Sequence, residues 1–351
     1  MNWDNTLTRL LQIKFPIIQA PMLSVTSPQM VGAAANFGVL GSLPLGGLPP
    51  EKCKELIQQT RQLTNQPFAV NLFAHSLPET NTNEISKMQQ LLEQIASEFN
   101  IKIEKEEIDK SDFYTAEDQI EVILEQKIPI VSFTFGVLSD NSIEKLKSEG
   151  VILIGTCTSV EEGVFLAKKG IDVICAQGYE AGGHRGSFIF DKGLPKVGTF
   201  SLVPQLFDAV QQPIIAAGGI YNGRTTKAAM TLGASAVQIG SCLVASDESL
   251  ATLAYKNELK HASNNTTVTR SFSGRWARGI NNSFIDKIEH SGLNIPDYPI
   301  QNKLTAKLRQ LAKQKDETAL MSLWAGQSAS NAQQKSTAQI LEELVTAIET
   351  I

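Results

Sequence analysis

Residues Pro213–Ser241 read PIIAAGGIYNGRTTKAAMTLGASAVQIGS, and this stretch decides the fold class. A proline opens it, and the apolar run Ile214–Ala217 follows without period-2 alternation. The glycine pair Gly218-Gly219 breaks the run. Asn222-Gly223 then leads into a helical stretch, Arg224–Leu232, that stops at Gly233. A second apolar run, Ala236–Ile239, ends in Gly240-Ser241. Unalternating apolar runs joined by a helix are the pattern of strands buried on both faces of a parallel sheet. Proline is tolerated at a strand's first residue, where its missing N–H costs least.

The same unit recurs toward the N-terminus. Strands are expected at Ile17–Ala20, Val39–Ser42, Phe68–Leu72, Ile130–Phe135, Val151–Gly155 and Val173–Gln177, which with the two above make eight. Pro16, Pro67 and Pro129 precede three of them as Pro213 precedes the seventh. Between them, Ser27-Pro28 followed by Gln29–Asn36 reads as an N-cap, a proline in the first turn and a short helix. Thr158-Ser159 before Val160–Lys169 repeats the logic, with Lys168 and Lys169 in the last turn and Gly170 after it. Eight strand–helix units predict an α/β fold of the (β/α)8 TIM-barrel type. A doubly wound open sheet also alternates strands and helices, but usually with fewer strands.

Two stretches exceed a bare barrel. Residues 73–118 follow the third strand and hold a helix near Glu84–Glu98 and a charged run, Lys102–Lys110. Residues 246–329 follow the eighth strand, with Gly/Asn/Ser-rich loops at Ser263–Thr267 and Ser271–Gly274 and helices near Lys303–Lys315 and Ala319–Trp324. The expected organisation is a barrel from 1–245 and about 330–351, with 73–118 as an insertion, and a mostly helical lid lobe from 246–329. Both additions follow strand C-termini, the face on which barrel active sites sit. The final helix, about Thr337–Ile351, carries Ile340, Leu341, Leu344 and Ile348 on one face for packing on the barrel.

Composition narrows the class. The chain has 351 residues, 42% of them hydrophobic and 19% charged, with a formal net charge of −5. No basic run argues for nucleic acid, and no apolar stretch is long enough for a bilayer span. The four cysteines, Cys53, Cys157, Cys175 and Cys242, have no metal-ligand spacing, so no metal site is expected. Free thiols and the lack of a basic, apolar leader at Met1-Asn-Trp-Asp favour a cytoplasmic protein.

The chemistry-bearing residues cluster at strand ends. Glycines after the seventh and eighth strands, Gly218-Gly219 and Gly240, let backbone N–H groups approach an anion, and Ser241 adds a hydroxyl. Loops at those two positions are where barrels most often hold a phosphate. Cys175–Gly186, CAQGYEAGGHRG, leaves the sixth strand with four glycines around His184. An imidazole titrates near neutrality, so His184 is the candidate for proton transfer or anion pairing. Arg185 is its neighbour. His75 is a weaker candidate, and His261 and His290 are expected at the surface. Met22, after the first strand, either packs on a planar cofactor or fills the top of the barrel. Asn71, on the third strand, offers an amide to a ring carbonyl or N–H.

Gln19–Met22 with Thr26-Ser27-Pro28, Asn71–Phe73, Gln177–Gly186, Ala216–Ile220 and Gln238–Ser241 together resemble the nitronate monooxygenases, formerly called 2-nitropropane dioxygenases, in order and spacing over about residues 13–245. Weaker similarity continues at Tyr298–Gln301 and Leu323–Gln327. Glu180–Gly186, EAGGHRG, is the most specific piece. The resemblance implies a non-covalent FMN and oxidation of a small anionic nitronate, such as propionate 3-nitronate, by O2. It implies His184 as the catalytic histidine and Met22 beside the flavin ring. Asn71, Gln177, Gly182, Gly183, Gly218, Gly219, Gln238, Ile239, Gly240 and Ser241 fall on flavin-contacting positions, and Tyr298 on the substrate pocket. The chain departs from many relatives at Thr134, where they have His, and at Ser241, where Thr is common. Three rivals stand beside this reading. One is a flavin-dependent enoyl-acyl-carrier-protein reductase, which needs NAD(P)H. One is an inosine-monophosphate-dehydrogenase-like barrel, for which residues 178–190 lack the nucleophilic cysteine. The last is a phosphate-ligand-binding barrel without catalysis.

Overall fold

The computed structural model describes residues 3–350. Met1, Asn2 and Ile351, the expected end of the final helix, lie outside the described residues. In chain order the strands are β1 Ile17–Gln19, β2 Gly41–Pro44, β3 Phe68–Phe73, β4 Ile130–Thr134, β5 Ile152–Cys157, β6 Val173–Gln177, β7 Gly183–His184, β8 Ile214–Ala217, β9 Ala236–Ile239, β10 Thr266–Thr269 and β11 Ala277–Ile280. Eight of them form one parallel sheet in the order β1-β9-β8-β6-β5-β4-β3-β2. The Ile18–Leu40 bridge brings β1 back to β2 and closes the (β/α)8 barrel. All eight expected strands are present. The sequence reading starts the second at Val39, whereas its ladder to β3 starts at Gly41. The reason is the closure itself: Leu40 is hydrogen-bonded on both sides to β1, its N–H to the Ile17 carbonyl and its carbonyl to the Gln19 N–H.

One barrel end is plugged. A helix at Thr6–Leu11, which the hydrophobic pattern did not single out, buries Leu7 and Leu11 against Ile18, Leu40, Ala69, Ile130 and Val173, the early inward residues of the strands. Asn5 and Thr8 close its N-terminus as a reciprocal capping box. The N-terminal end of the barrel is thereby filled with apolar side chains, and any cavity is left to the C-terminal end.

Outward-facing strand residues such as Val70, Leu72, Val131, Phe133, Ile174 and Val237 form the main core with the surrounding helices. The last helix, Thr337–Thr350, joins that core through Ile340, Leu341, Leu344 and Ile348. It crosses the helix Gly223–Thr231 so closely that a Cβ on Gly223 would lie 2.6 Å from the Ala347 backbone.

A second core lies beyond the barrel. The helix Thr82–Glu98 of the insertion contributes Met88, Leu92 and Ile95, and residues after β9 contribute Phe272, Phe284, Leu304 and Leu308. The region after β9 holds helices at Leu253–Leu259, Ser283–Glu289 and Ile300–Gln314. It also holds the hairpin β10–β11, where the sequence pattern suggested only loops. Thr266, Thr267 and Val268 are only half-buried and Gly279 carries no side chain, so this hairpin shows little of the apolar run that marks a buried strand.

Candidate active site

The C-terminal ends of the strands open into a cavity of about 310 Å³. Its wall includes Met22, Asn71, Gln177, Gly182, Gly183, His184, Gly218, Gly219, Gln238, Gly240 and Ser241. Two residues singled out by resemblance do not line it. Ile239 is fully buried in the core between strands and helices. Tyr298 stands behind the lining, its ring 6.0 Å from Phe73 and 6.4 Å from His184. From the far side the region after β9 contributes Asn302, Arg309, Ser322, Trp324 and Gly326.

His184 is held by its backbone. The segment after β6 runs antiparallel to β11, pairing His184 with Ala277 and Gly183 with Arg278, so β7 is a strand of the sheet β10-β11-β7. The Gln177 amide clamps the same segment, donating to the His184 carbonyl (3.0 Å) and accepting from the Gly186 N–H (2.9 Å). Arg185 points away from the cavity. Buried to 1% exposure, it donates to the carbonyls of Gly178 (2.6 Å) and Gln177 (3.0 Å). Below it, the buried Glu162 carboxylate accepts from the N–H groups of Phe188 (2.6 Å) and Ile189 (3.0 Å) and from Thr158. The glycines here serve close packing more than mobility. A Cβ on Gly182 would sit 2.4 Å from the Gly326 nitrogen and 2.6 Å from the Ala325 carbonyl carbon.

The imidazole of His184 is enclosed by rings. Phe135 and Trp324 each lie 5.3 Å away and Phe73 6.4 Å. Its Nε2 meets the Ser273 hydroxyl at 2.8 Å. Burial, and then the charges of Arg275 and Arg309, push its pKa down to about 3, so the imidazole is neutral at pH 7. His75 is held at about 4, first by burial and also by Arg275. It stacks edge-on to Tyr298 at 4.8 Å and does not line the cavity. Burial raises the Tyr298 phenol, which therefore stays protonated. His261 and His290 are exposed, as expected.

Two guanidiniums charge this corner, and neither has a carboxylate partner among the described residues. Arg275 donates to the carbonyls of Phe135 (2.8 Å) and Ser187 (2.6 Å) and lies 4.2 Å over the Phe135 ring. Phe135 has φ of 79°, a conformation that a bulky residue adopts only under constraint and one often found at functional sites. Arg309 is tied to Thr305 and Asn302 of its own helix. Sequence reading missed Phe135, Ser273, Arg275, Arg309 and Trp324. The signals among them were Phe135-Gly136 at the end of a strand and Trp324 within the weakly similar stretch Leu323–Gln327.

Across the cavity the backbone is bare. Gly218 and Gly219 have φ of 110° and 74°, where a side chain would be strained. Gly240 packs so tightly that a Cβ would lie 3.3 Å from Ala20 Cβ and 3.6 Å from Met22 Sδ. No side chain caps the short turn Ser241–Leu243 that it opens. Ser241 Oγ accepts from the Gly326 N–H (2.9 Å), which leaves its own O–H free to donate. This is a set of exposed donors suited to an anion. No cluster of three or more His, Cys, Asp or Glu able to hold a metal is found among the described residues. No helix there is long and apolar enough to cross a membrane.

Comparison with known proteins agrees with this layout. The sequence model of the nitronate monooxygenase family matches residues 4–347. A probable nitronate monooxygenase of Staphylococcus aureus strain Newman is 40% identical over 329 residues, 93% of this chain and 92% of that protein. One from Staphylococcus saprophyticus is 40% identical over 348 residues, covering 98% of each. Among solved structures, nitroalkane oxidase from Streptomyces ansochromogenes superposes with a TM-score of 0.89 at 32% identity, over 99% of this chain and 98% of that one. FabK from Thermotoga maritima superposes with a TM-score of 0.78 at 28% identity, over 99% and 97%. With the barrel, the glycine-lined cavity and the enclosed histidine in place, these matches show that the chain belongs to the nitronate monooxygenase family of oxidoreductases.

Proposed function

We propose that this protein oxidises small alkyl nitronates, propionate 3-nitronate among them, with O2 and a bound FMN, releasing nitrite and a carbonyl product. The observation that carries the reading is His184. Its neutral imidazole is held by Ser273 inside a ring of aromatics, on the wall of a cavity whose other wall is bare glycine backbone. The residues present fit a flavin nucleotide. Gly219, Gly240 and Ser241 would hold the phosphate by backbone N–H groups and one hydroxyl. Met22, Asn71, Gly182, Gly183 and Gln238 would face the ring system, with Gly218 and Ile239 supporting by backbone alone. Gln177, whose amide is already engaged by the His184 segment, would serve chiefly to position it.

The flavin supplies the redox chemistry when bound. The chain's own residues do the rest. The uncompensated charge of Arg275 favours an anion beside His184. Trp324 and Phe73, which line the cavity, exclude water and limit the size of the alkyl group. His184, neutral, donates one hydrogen bond to a nitro oxygen, or in its other tautomer is in the right protonation state to accept the α-proton of a neutral nitroalkane. In this reading residues 246–329 act as the lid over the barrel. A cytoplasmic location belongs to the same proposal and fits four buried free thiols. The test is twofold: the flavin released on denaturation should be FMN, and the loaded protein should form nitrite from propionate 3-nitronate in air. A colourless protein, or one that yields no nitrite, would overturn the proposal.

A further inference from the structure

Arg309 has no carboxylate partner among the described residues. It sits on the helix Ile300–Gln314 and lines the cavity together with Asn302. Its Nε donates to Thr305 Oγ1 (3.0 Å), and its Nη2 donates to the Asn302 carbonyl and to Asn302 Oδ1 (2.8 Å each). Thr305 is itself anchored, donating to the Phe272 carbonyl. The head group is therefore pre-oriented by two of its nitrogens. The third, Nη1, has no hydrogen-bond partner among the described residues, and no carboxylate pairs with the residue there. Enclosure lowers its pKa to about 10, so it still carries its charge at pH 7. A cation held in place inside a cavity, with one edge unspent, is an arrangement for a ligand anion.

We infer that Arg309 is a specificity-determining residue that pairs with a second anionic group, a carboxylate, at the end of the substrate remote from the nitronate. The alternative is that it pairs with the nitronate itself. The layout favours the first. His184 and its Ser273 partner already offer the polar contact for the nitronate within the aromatic ring set. Arg309 comes instead from a separate lid helix, beside Asn302. This inference rests on the nitronate reading of the site, and the test below separates the two.

The test compares wild type, Arg309→Met and Arg309→Lys on propionate 3-nitronate and on propyl-1-nitronate, in which a methyl group replaces the carboxylate. Losing a charge-assisted hydrogen bond predicts a roughly 10- to 150-fold fall in kcat/KM on the carboxylated substrate. The loss on propyl-1-nitronate should stay within about threefold, and lysine should recover part of the activity. Succinate, whose two carboxylates are spaced by two carbons like the charged groups of propionate 3-nitronate, should bind wild type and not Arg309→Met by calorimetry. Equal losses on both nitronates, or no loss on either, would overturn the inference. So would equal succinate binding by both proteins, whatever the turnover. If wild type turns over neither nitronate yet binds succinate through Arg309, the pairing of Arg309 with a carboxylate stands and the nitronate reading falls.

Discussion

Replacing His184 by asparagine separates the roles an imidazole can play in this cavity. With a pKa near 3 the free site holds an imidazolium in only about one molecule in 10⁴ at pH 7. A mechanism that needs a cation there would start from that rare form, so the structure argues for the neutral ring. A neutral ring contributes one hydrogen bond to a bound nitronate, worth about 0.5–1.5 kcal/mol, or roughly 2- to 12-fold in rate. With a neutral nitroalkane it must also accept the α-proton, and loss of a positioned base typically costs about 10²–10⁴-fold. Asparagine should keep the fold, since part of the imidazole surface faces the cavity and β7 is held by backbone pairing with β11. The assay is nitrite release from 1-nitropropane and from preformed propyl-1-nitronate at matched pH, with flavin content checked first. The account predicts a deficit at least tenfold larger on the nitroalkane. Large and equal losses on both would mean that the charged imidazole is required, and wild-type rates on both would remove His184 from the chemistry.

Other perturbations test the supporting structure. Ser273→Ala removes the partner of His184 Nε2, so turnover should fall about 2- to 12-fold and the ring's ¹⁵N signals should show a changed tautomer balance; unchanged signals would dismiss Ser273 as a positioning residue. Gly182→Ala drives a methyl group into the backbone at Ala325–Gly326, which should cost about 1–3 kcal/mol and weaken flavin retention; unaltered melting and retention would show that Ala325–Gly326 does not pack against Gly182. His184 and His75 are held neutral in the fold at about 3 and 4, so below the unfolded value near 6.5 the unfolded chain binds more protons. Stability should therefore fall as pH drops from about 6.5 toward 4, by up to about 1.4 kcal/mol per pH unit for each histidine. Urea melts at stepped pH should show His75→Gln less acid-sensitive than wild type, and identical slopes would contradict the burial argument.

Much of the barrel was legible because its signals are local. Each strand is an apolar run, each turn carries its glycine, and the final helix displays Ile340, Leu341, Leu344 and Ile348 on one face. The site was legible on one wall only. Gly218, Gly219, Gly240 and His184 sit at strand ends whose place in a barrel follows from strand count. The opposite wall comes from the region after β9, where Ser273, Arg309 and Trp324 lie about 90 to 140 residues from His184 and reach it through tertiary packing. No spacing rule connects them. The hairpin β10–β11 escaped because its strands are short and one is half-exposed, and the register that recruits β7 to it is set by pairing with a distant segment. The plug helix Thr6–Leu11 is only six residues long and is stabilised by the barrel interior more than by its own periodicity.

The central claim is that the cavity oxidises a nitronate with oxygen and without a pyridine nucleotide. Oxygen uptake and nitrite release, followed together on flavin-loaded protein, test it directly. The account predicts that both begin on addition of propionate 3-nitronate alone, and that NADH neither accelerates them nor is consumed. No oxygen uptake with the nitronate, together with NADH oxidation coupled to reduction of an enoyl thioester, would contradict it.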